Sequence, residues 1–186
     1  MRNLSDELLV RHCAPTLAGI KTGSLFRCKY ENRKDLVDEL RKVNRVLKAK
    51  KIFLIPLCFS ETTVLLYMFR PEKLKKDLAC NQAKEILKNC GYNCENCGVC
   101  LKHLIRKLKE ESDFPHEIGL FLSYPPKDVY EFIKNGAENY KCVGEWKAYS
   151  NERKAIKTFN AYRKCKRIYK YLLKNGKSLE QLAVIA

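Results

Sequence analysis

Residues 52–69 read IFLIPLCFSETTVLLYMF, and this stretch decides the fold. Its two apolar runs, residues 52–59 and 63–69, are rich in aliphatic, β-branched and aromatic side chains, and Ser60, Glu61 and Thr62 separate them. Runs of this composition joined by a short polar connection predict two neighbouring antiparallel strands. The first run is the most apolar in the chain, yet it is far shorter than the roughly 20 residues a helix needs to span a bilayer. It therefore reads as a buried strand, and no membrane insertion is expected.

Upstream of the hairpin, residues 35–48 place Leu36, Val37, Leu40, Val43 and Leu47 at helical spacing with basic residues between them. That pattern predicts an amphipathic helix. Residues 24–30 add a strand before it, giving a β-α-β-β opening. Downstream, Pro71 opens a helical region with Leu74, Leu78, Ala83, Ile86 and Leu87 facing inward and Gly91 as its stop. A second helix starts near Val99 and carries Leu101, Leu104, Ile105 and Leu108. The prolines at Pro115, Pro125 and Pro126 then bracket two short helices, residues 116–122 and 128–134, around a tight corner. Residues 143–149 read as a returning strand.

Asn151 or Ser150 is placed to cap the last helix. There Ala155, Phe159, Tyr162, Tyr169 and Leu173 line one side, while Arg153, Lys157, Lys164, Arg167 and Lys174 line the other, and Gly176 ends it. The expected fold is α+β: a small, largely antiparallel sheet of three or four strands, covered by several helices and completed by a long basic C-terminal helix. No repeat, low-complexity tract or long linker divides the 186 residues, so a single domain over residues 1–186 is expected.

The first ten residues mix Asp6 and Glu7 with leucines and lack the basic start and apolar centre of a secretion signal. Ten cysteines in a chain with no such signal read as reduced thiols, so a cytoplasmic location is expected. The formal net charge is +16, and it is concentrated at the ends. Residues 1–50 hold 12 Lys and Arg against 6 Asp and Glu, residues 151–186 hold 10 against 2, and residues 101–150 balance at 8 against 8. A field of this sign attracts nucleic acid, anionic lipid or acidic partners, but it also describes an ordinary lysine-rich solvated surface.

Three segments carry a family likeness: residues 12–26, HCAPTLAGIKTGSLF; residues 114–125, FPHEIGLFLSYP; and Val143 and Gly144 with Trp146 and Lys147. In these the chain resembles the bacterial, chiefly clostridial, family called domain of unknown function 3793, and the likeness runs through nearly its whole length. It departs from the pattern at Ser123, where a glycine is usual, and at Glu145 and Ala148. The resemblance implies a compact intracellular domain in which the three segments meet in space, and it implies no substrate.

The first candidate site is built from those segments. His12, Thr16, Lys21, Thr22 and Ser24 stand among Ala14, Ala18, Gly19 and Gly23, a mixture that lets backbone approach a ligand while side chains offer hydrogen bonds. His116 and Glu117 follow Pro115 at a helix start, where free backbone donors and the helix dipole favour an anion. With Trp146 of the third segment, His12, Thr16, Lys21, Thr22, His116 and Glu117 form the predicted set for a small anionic or cofactor-like ligand. An enzyme reading assigns His12 or His116 to acid-base chemistry and Lys21 to an anion clamp, but no nucleophile accompanies them. Each residue also has a plain structural reading, with the histidines packing and Glu117 stabilising a first turn.

Cys90, Cys94, Cys97 and Cys100 form the second candidate, a run of thiols that can wrap zinc or an iron-sulfur cluster. The spacing of the first three also matches the three-cysteine loop of radical S-adenosylmethionine enzymes, though no aromatic precedes Cys97 and the chain is too short for their barrel. The same spacing puts the sulfurs on one helical face as small buried hydrophobes. The third candidate, nucleic-acid binding, rests on the basic last helix and on the helix-turn-helix rhythm of residues 117–132. It is not favoured, because Asp128 and Glu131 cancel Lys127 and Lys134 on the second of those helices.

Overall fold

The structure is a computed structural model that describes residues 4–93, 95–110 and 113–185. In chain order the elements are α1 (Asp6–Leu17), β1 (Gly23–Lys29), α2 (Arg33–Lys48), β2 (Phe53–Phe59), β3 (Thr63–Phe69), α3 (Pro71–Ala79) and α4 (Asn81–Asn89). They continue with α5 (Cys97–Glu110), α6 (Ile118–Phe121), α7 (Pro126–Asn135), β4 (Cys142–Val143), β5 (Lys147–Ala148), α8 (Glu152–Lys174) and α9 (Leu179–Leu182). The fold is α+β, as expected. No helix among the described residues is long and apolar enough to cross a membrane. The chain forms two compact units, one of residues up to Pro71 together with those from Lys164 onward, the other of Glu72–Arg163.

In the first unit β2 and β3 pair antiparallel, and β1 joins the far edge of β3 to give the order β1-β3-β2. The register sets Phe26 opposite Leu66 and Leu54 opposite Met68. Because side chains alternate along a strand, Phe26, Cys28, Leu54, Val64, Leu66 and Met68 present one face. Leu9, Cys13 and Leu17 of α1 and Leu36, Leu40 and Leu47 of α2 join them in a single core. Each such side chain, fully buried, contributes roughly 1.5–3 kcal/mol. In β3 the residues of the opposite face, Leu65, Tyr67 and Phe69, are buried as well, which is why this strand reads as a continuous apolar run.

Pro56 lies on edge strand β2, and the register shifts between Pro56 and Cys58, as suits a residue with no N–H to give. The same strand is covered by a side chain: Asn44 of α2 donates to Leu54 O at 2.7 Å and accepts from Leu54 N at 2.8 Å. Its amide thus pairs like one residue of a further strand and blunts the open edge.

Helix α1 is an element for which the sequence carried no prediction. Ser5 caps it by accepting from Leu8 N at 3.2 Å, Asp6 and Glu7 occupy its first turn, and it runs through Pro15. It ends at Leu17, where Gly19 takes a positive φ and Ile20 N and Lys21 N turn back onto Pro15 O at 3.0 and 3.1 Å.

In the second unit the five residues predicted to face inward from α3 and α4 are all buried, and the two helices part at Cys80, whose sulfur accepts from Ala83 N at 3.4 Å. The predicted returning strand is corrected. Residues 142–148 form their own hairpin, pairing Cys142 with Ala148 and Val143 with Lys147, and this ladder is separate from the three-stranded sheet. The chain reverses between Val143 and Lys147, where Gly144 N donates to Trp146 O at 3.1 Å, and a Cβ on Gly144 would overlap the Phe159 ring. Asn151 caps α8 as expected, accepting from Lys154 N at 2.9 Å.

Candidate functional site

The first unit holds His12, Thr16, Lys21 and Thr22. His12 is half-buried on α1 with its ring stacked on Phe26 at 5.0 Å. Burial, and then the nearby Arg11 and Lys166, hold its imidazole below the ordinary range. Thr16 is fully buried and shares a 2.9 Å hydrogen bond with the Ser24 hydroxyl. Thr22 is buried and its carbonyl accepts from Arg70 N at 2.9 Å, while Lys21 is only 6% exposed. Cys13, next to His12 in the chain, is fully buried, and desolvation pushes its thiol far up. These residues join α1 to β1.

The second unit holds the rest of the set. His116 is exposed and meets the Phe132 ring edge-on at 4.9 Å. Glu117 is buried and accepts from Lys107 Nζ at 2.8 Å. The same ammonium lies 3.4 Å from Cys90 O, so Glu117 anchors α5 beside the start of α6. Of the cysteine run, Cys94 lies outside the described residues. Cys90 and Cys97 are half-buried and outside any disulfide, and burial, followed by the nearby Glu72, raises the Cys97 thiol. Cys100 is buried and disulfide-bonded, which corrects the expectation of reduced thiols at that position; eight other described cysteines form no disulfide. Among the described residues no group of three or more His, Cys, Asp and Glu side chains is arranged to hold a metal ion.

The second and third signature segments do meet, around Asp128 at the start of α7. Asp128 is 2% exposed and accepts from Trp146 Nε1 at 2.8 Å, Tyr149 N at 3.0 Å and Ser150 N at 2.8 Å. Burial works against its ionisation, but side-chain bonds from Ser150 and Trp146 and the two backbone donors outweigh it and hold the carboxyl below its usual range. Tyr124 donates its hydroxyl to Glu145 O at 2.8 Å, and its ring lies 5.0 Å from that of Trp146. Burial, followed by the nearby Glu145 and Tyr162, raises the Tyr124 phenol, so it stays protonated and keeps donating. Gly119 completes the corner, for a Cβ there would meet Val129 and Tyr124 at 2.9 and 3.0 Å.

Beside this frame opens a cleft of about 500 Å³. Tyr124, Pro125 and Trp146 supply apolar surface, Ser123, Ser150 and Thr158 supply hydroxyls, and Lys76 of α3 and Lys154 of α8 supply exposed ammonium groups. Asp77 and the already saturated Asp128 are its carboxylates. Trp146 is the member of the predicted ligand set that lines the cleft. The two lysines, Tyr124 and Asp128 were not among the predicted site residues. Only the Tyr-Pro pair and the tryptophan left a signal, through the family segments; the lysines are indistinguishable from other surface lysines until the helices are placed.

Fold and corner together define an α+β protein with a cleft framed by its signature residues. The chain belongs to the family described as protein of unknown function (DUF3793), whose model matches residues 9–183. No curated protein and no solved structure matches it.

Proposed function

We propose that this is a cytoplasmic small-molecule-binding protein whose ligand, an organic anion with a flat or apolar portion, occupies the cleft of the second unit. The observation that carries the reading is a cleft of about 500 Å³ lined together by the neighbouring Tyr124 and Trp146 and by Lys76 and Lys154. That volume lies in the range of small-ligand sites, about 300–1,000 Å³, and pairs apolar surface with a few polar groups that fix orientation. The aromatic side would take the planar part of the ligand, and the two lysines would take its negative charge. Asp128 acts behind the site: by fixing Trp146 and the Tyr149-Ser150 backbone it sets the indole and the start of α8 in place without a dissociable proton of its own.

Trp146 is the only tryptophan of the chain, so its emission reports on the cleft directly. Fractions of a small-molecule extract from the host cell are titrated against the protein. At least one fraction is expected to change the emission saturably, and the change should be lost with Lys76→Glu and Lys154→Glu. A response that survives both substitutions, or none from any fraction, would overturn the reading.

A further inference from the structure

In the first unit, the part of α8 from Lys164 onward turns one side inward and leaves the other bare. Tyr169, Leu172 and Leu173 pack against the core of the sheet, and Cys165, one turn before Tyr169, is buried as well. Lys164, Arg167, Ile168, Tyr171 and Lys174 recur every three or four residues, so they share the opposite face, and all are exposed. The face is about 15 Å long. Its charge has no local counterweight, since no Asp or Glu occurs from Arg153 to Leu179. Among the described residues no carboxylate pairs with Lys164, Arg167, Lys170 or Lys174. Glu7 of α1, which shares a groove with Lys170, pairs instead with Arg11 at 3.7 Å. Two large apolar side chains stand among these cations: Ile168 is 43% exposed and Tyr171 66%.

We infer that this face of α8 is a docking surface for an anionic lipid bilayer, against which the folded first unit lies without spanning it. The warrant is the pairing of unbalanced positive charge with exposed apolar side chains on one helix face. A lysine or arginine close to an anionic leaflet adds about fivefold to the affinity for it. Ile168 and Tyr171 add what charge alone does not supply. An aliphatic side chain gains by entering the boundary between headgroups and acyl chains, and a phenol gains by lying across it with the hydroxyl in water. A nucleic acid would use the cations equally well, but its phosphates and sugars give an isoleucine nothing to bury against. A bilayer also requires no recess, and the bare face of a helix offers none. This inference does not rest on the ligand proposed for the second unit.

Vesicle flotation of the full chain supplies the test, with unilamellar vesicles of phosphatidylcholine alone or mixed with phosphatidylglycerol, at about 0.1 M salt. The protein is expected to float with the mixed vesicles and to stay behind with phosphatidylcholine alone. Two double variants separate the contributions. Lys164→Gln with Arg167→Gln should weaken partitioning about tenfold or more. Ile168→Ser with Tyr171→Ser leaves the charge untouched and should weaken it about tenfold or more as well. All four side chains are exposed, so the urea midpoints of both variants should match the wild type and exclude misfolding as the cause. The inference is overturned if the wild type ignores the mixed vesicles or binds both kinds alike. Unchanged partitioning of the Ile168→Ser, Tyr171→Ser variant would also overturn it, for it would reduce the effect to adsorption by charge. So would a single-stranded oligonucleotide that strips the wild type from the vesicles and loses its own binding in both variants, which would give the face to nucleic acid.

Discussion

Arg70 Nη2 donates to the Leu17 carbonyl at 2.8 Å, joining the end of β3 to the end of α1 across 53 residues of sequence. The same nitrogen reaches Val184 O at 2.8 Å, and Nε reaches Thr16 O at 2.7 Å. A helix leaves its last carbonyls without intrahelical donors and its C-terminus partly negative. No basic residue lies in the last turn of α1, so a cation from the sheet does the capping. Arg70 is 2% exposed, which makes this fork part of the first unit's interior.

Replacing Arg70 with Lys keeps the charge and removes the fork. A single ammonium cannot occupy the Nε and Nη2 positions together, so buried carbonyls lose donors. Arg70→Lys is expected to lower stability by roughly 2–4 kcal/mol, read as a shift of the urea midpoint. A midpoint equal to that of the wild type would show that the fork adds nothing.

Asp128→Asn tests the frame of the cleft. The amide oxygen still accepts from Tyr149 N and Ser150 N, but an NH₂ group then faces the Trp146 N–H, donor against donor. A loss of about 1–3 kcal/mol is expected. The sign with pH follows from the depressed carboxyl. Its stabilisation is complete above the ordinary value of 3.8 and fades as pH falls below it, so the gap between wild type and Asn should narrow in acid. A gap that stays constant from pH 6 to pH 3 would contradict this assignment.

The hairpin at residues 52–69, the helix before it and the inward faces of α3, α4 and α8 were legible because local pattern and tertiary burial agree there. Helix α1 was not, since Pro15 and the small residues beside it give no helical apolar pattern, while its support comes from Arg70 and from packing on β1. The strand expected over residues 143–149 failed for the opposite reason. Its β-like composition is overridden by the reversal at Gly144 and by the Trp146 bond to Asp128, 18 residues away. The site was legible only in part. Thr16, Lys21 and Glu117 stood out as polar residues in conspicuous segments, and burial now gives Thr16 and Glu117 protein partners at 2.9 and 2.8 Å. The cleft lysines carry no local signature at all.

His12 makes the first unit sensitive to mild acid. Its native imidazole binds a proton less readily than the ordinary value of 6.5 implies, so the unfolded chain takes up the proton first as pH falls. The stability due to neutral His12 is therefore present above 6.5 and is lost progressively below it. Urea midpoints measured at pH 7.5 and pH 5.5 should drop more in the wild type than in His12→Gln. Equal drops would place the pH sensitivity elsewhere.

The central claim, that the cleft of the second unit holds an organic anion, is met most directly by native mass spectrometry of the protein purified from its host without denaturation. The account predicts one extra mass of small-molecule size on the wild-type chain, absent from the Lys76→Glu, Lys154→Glu double variant prepared in the same way. A bare chain in both preparations, or the same extra mass retained by the double variant, would contradict it.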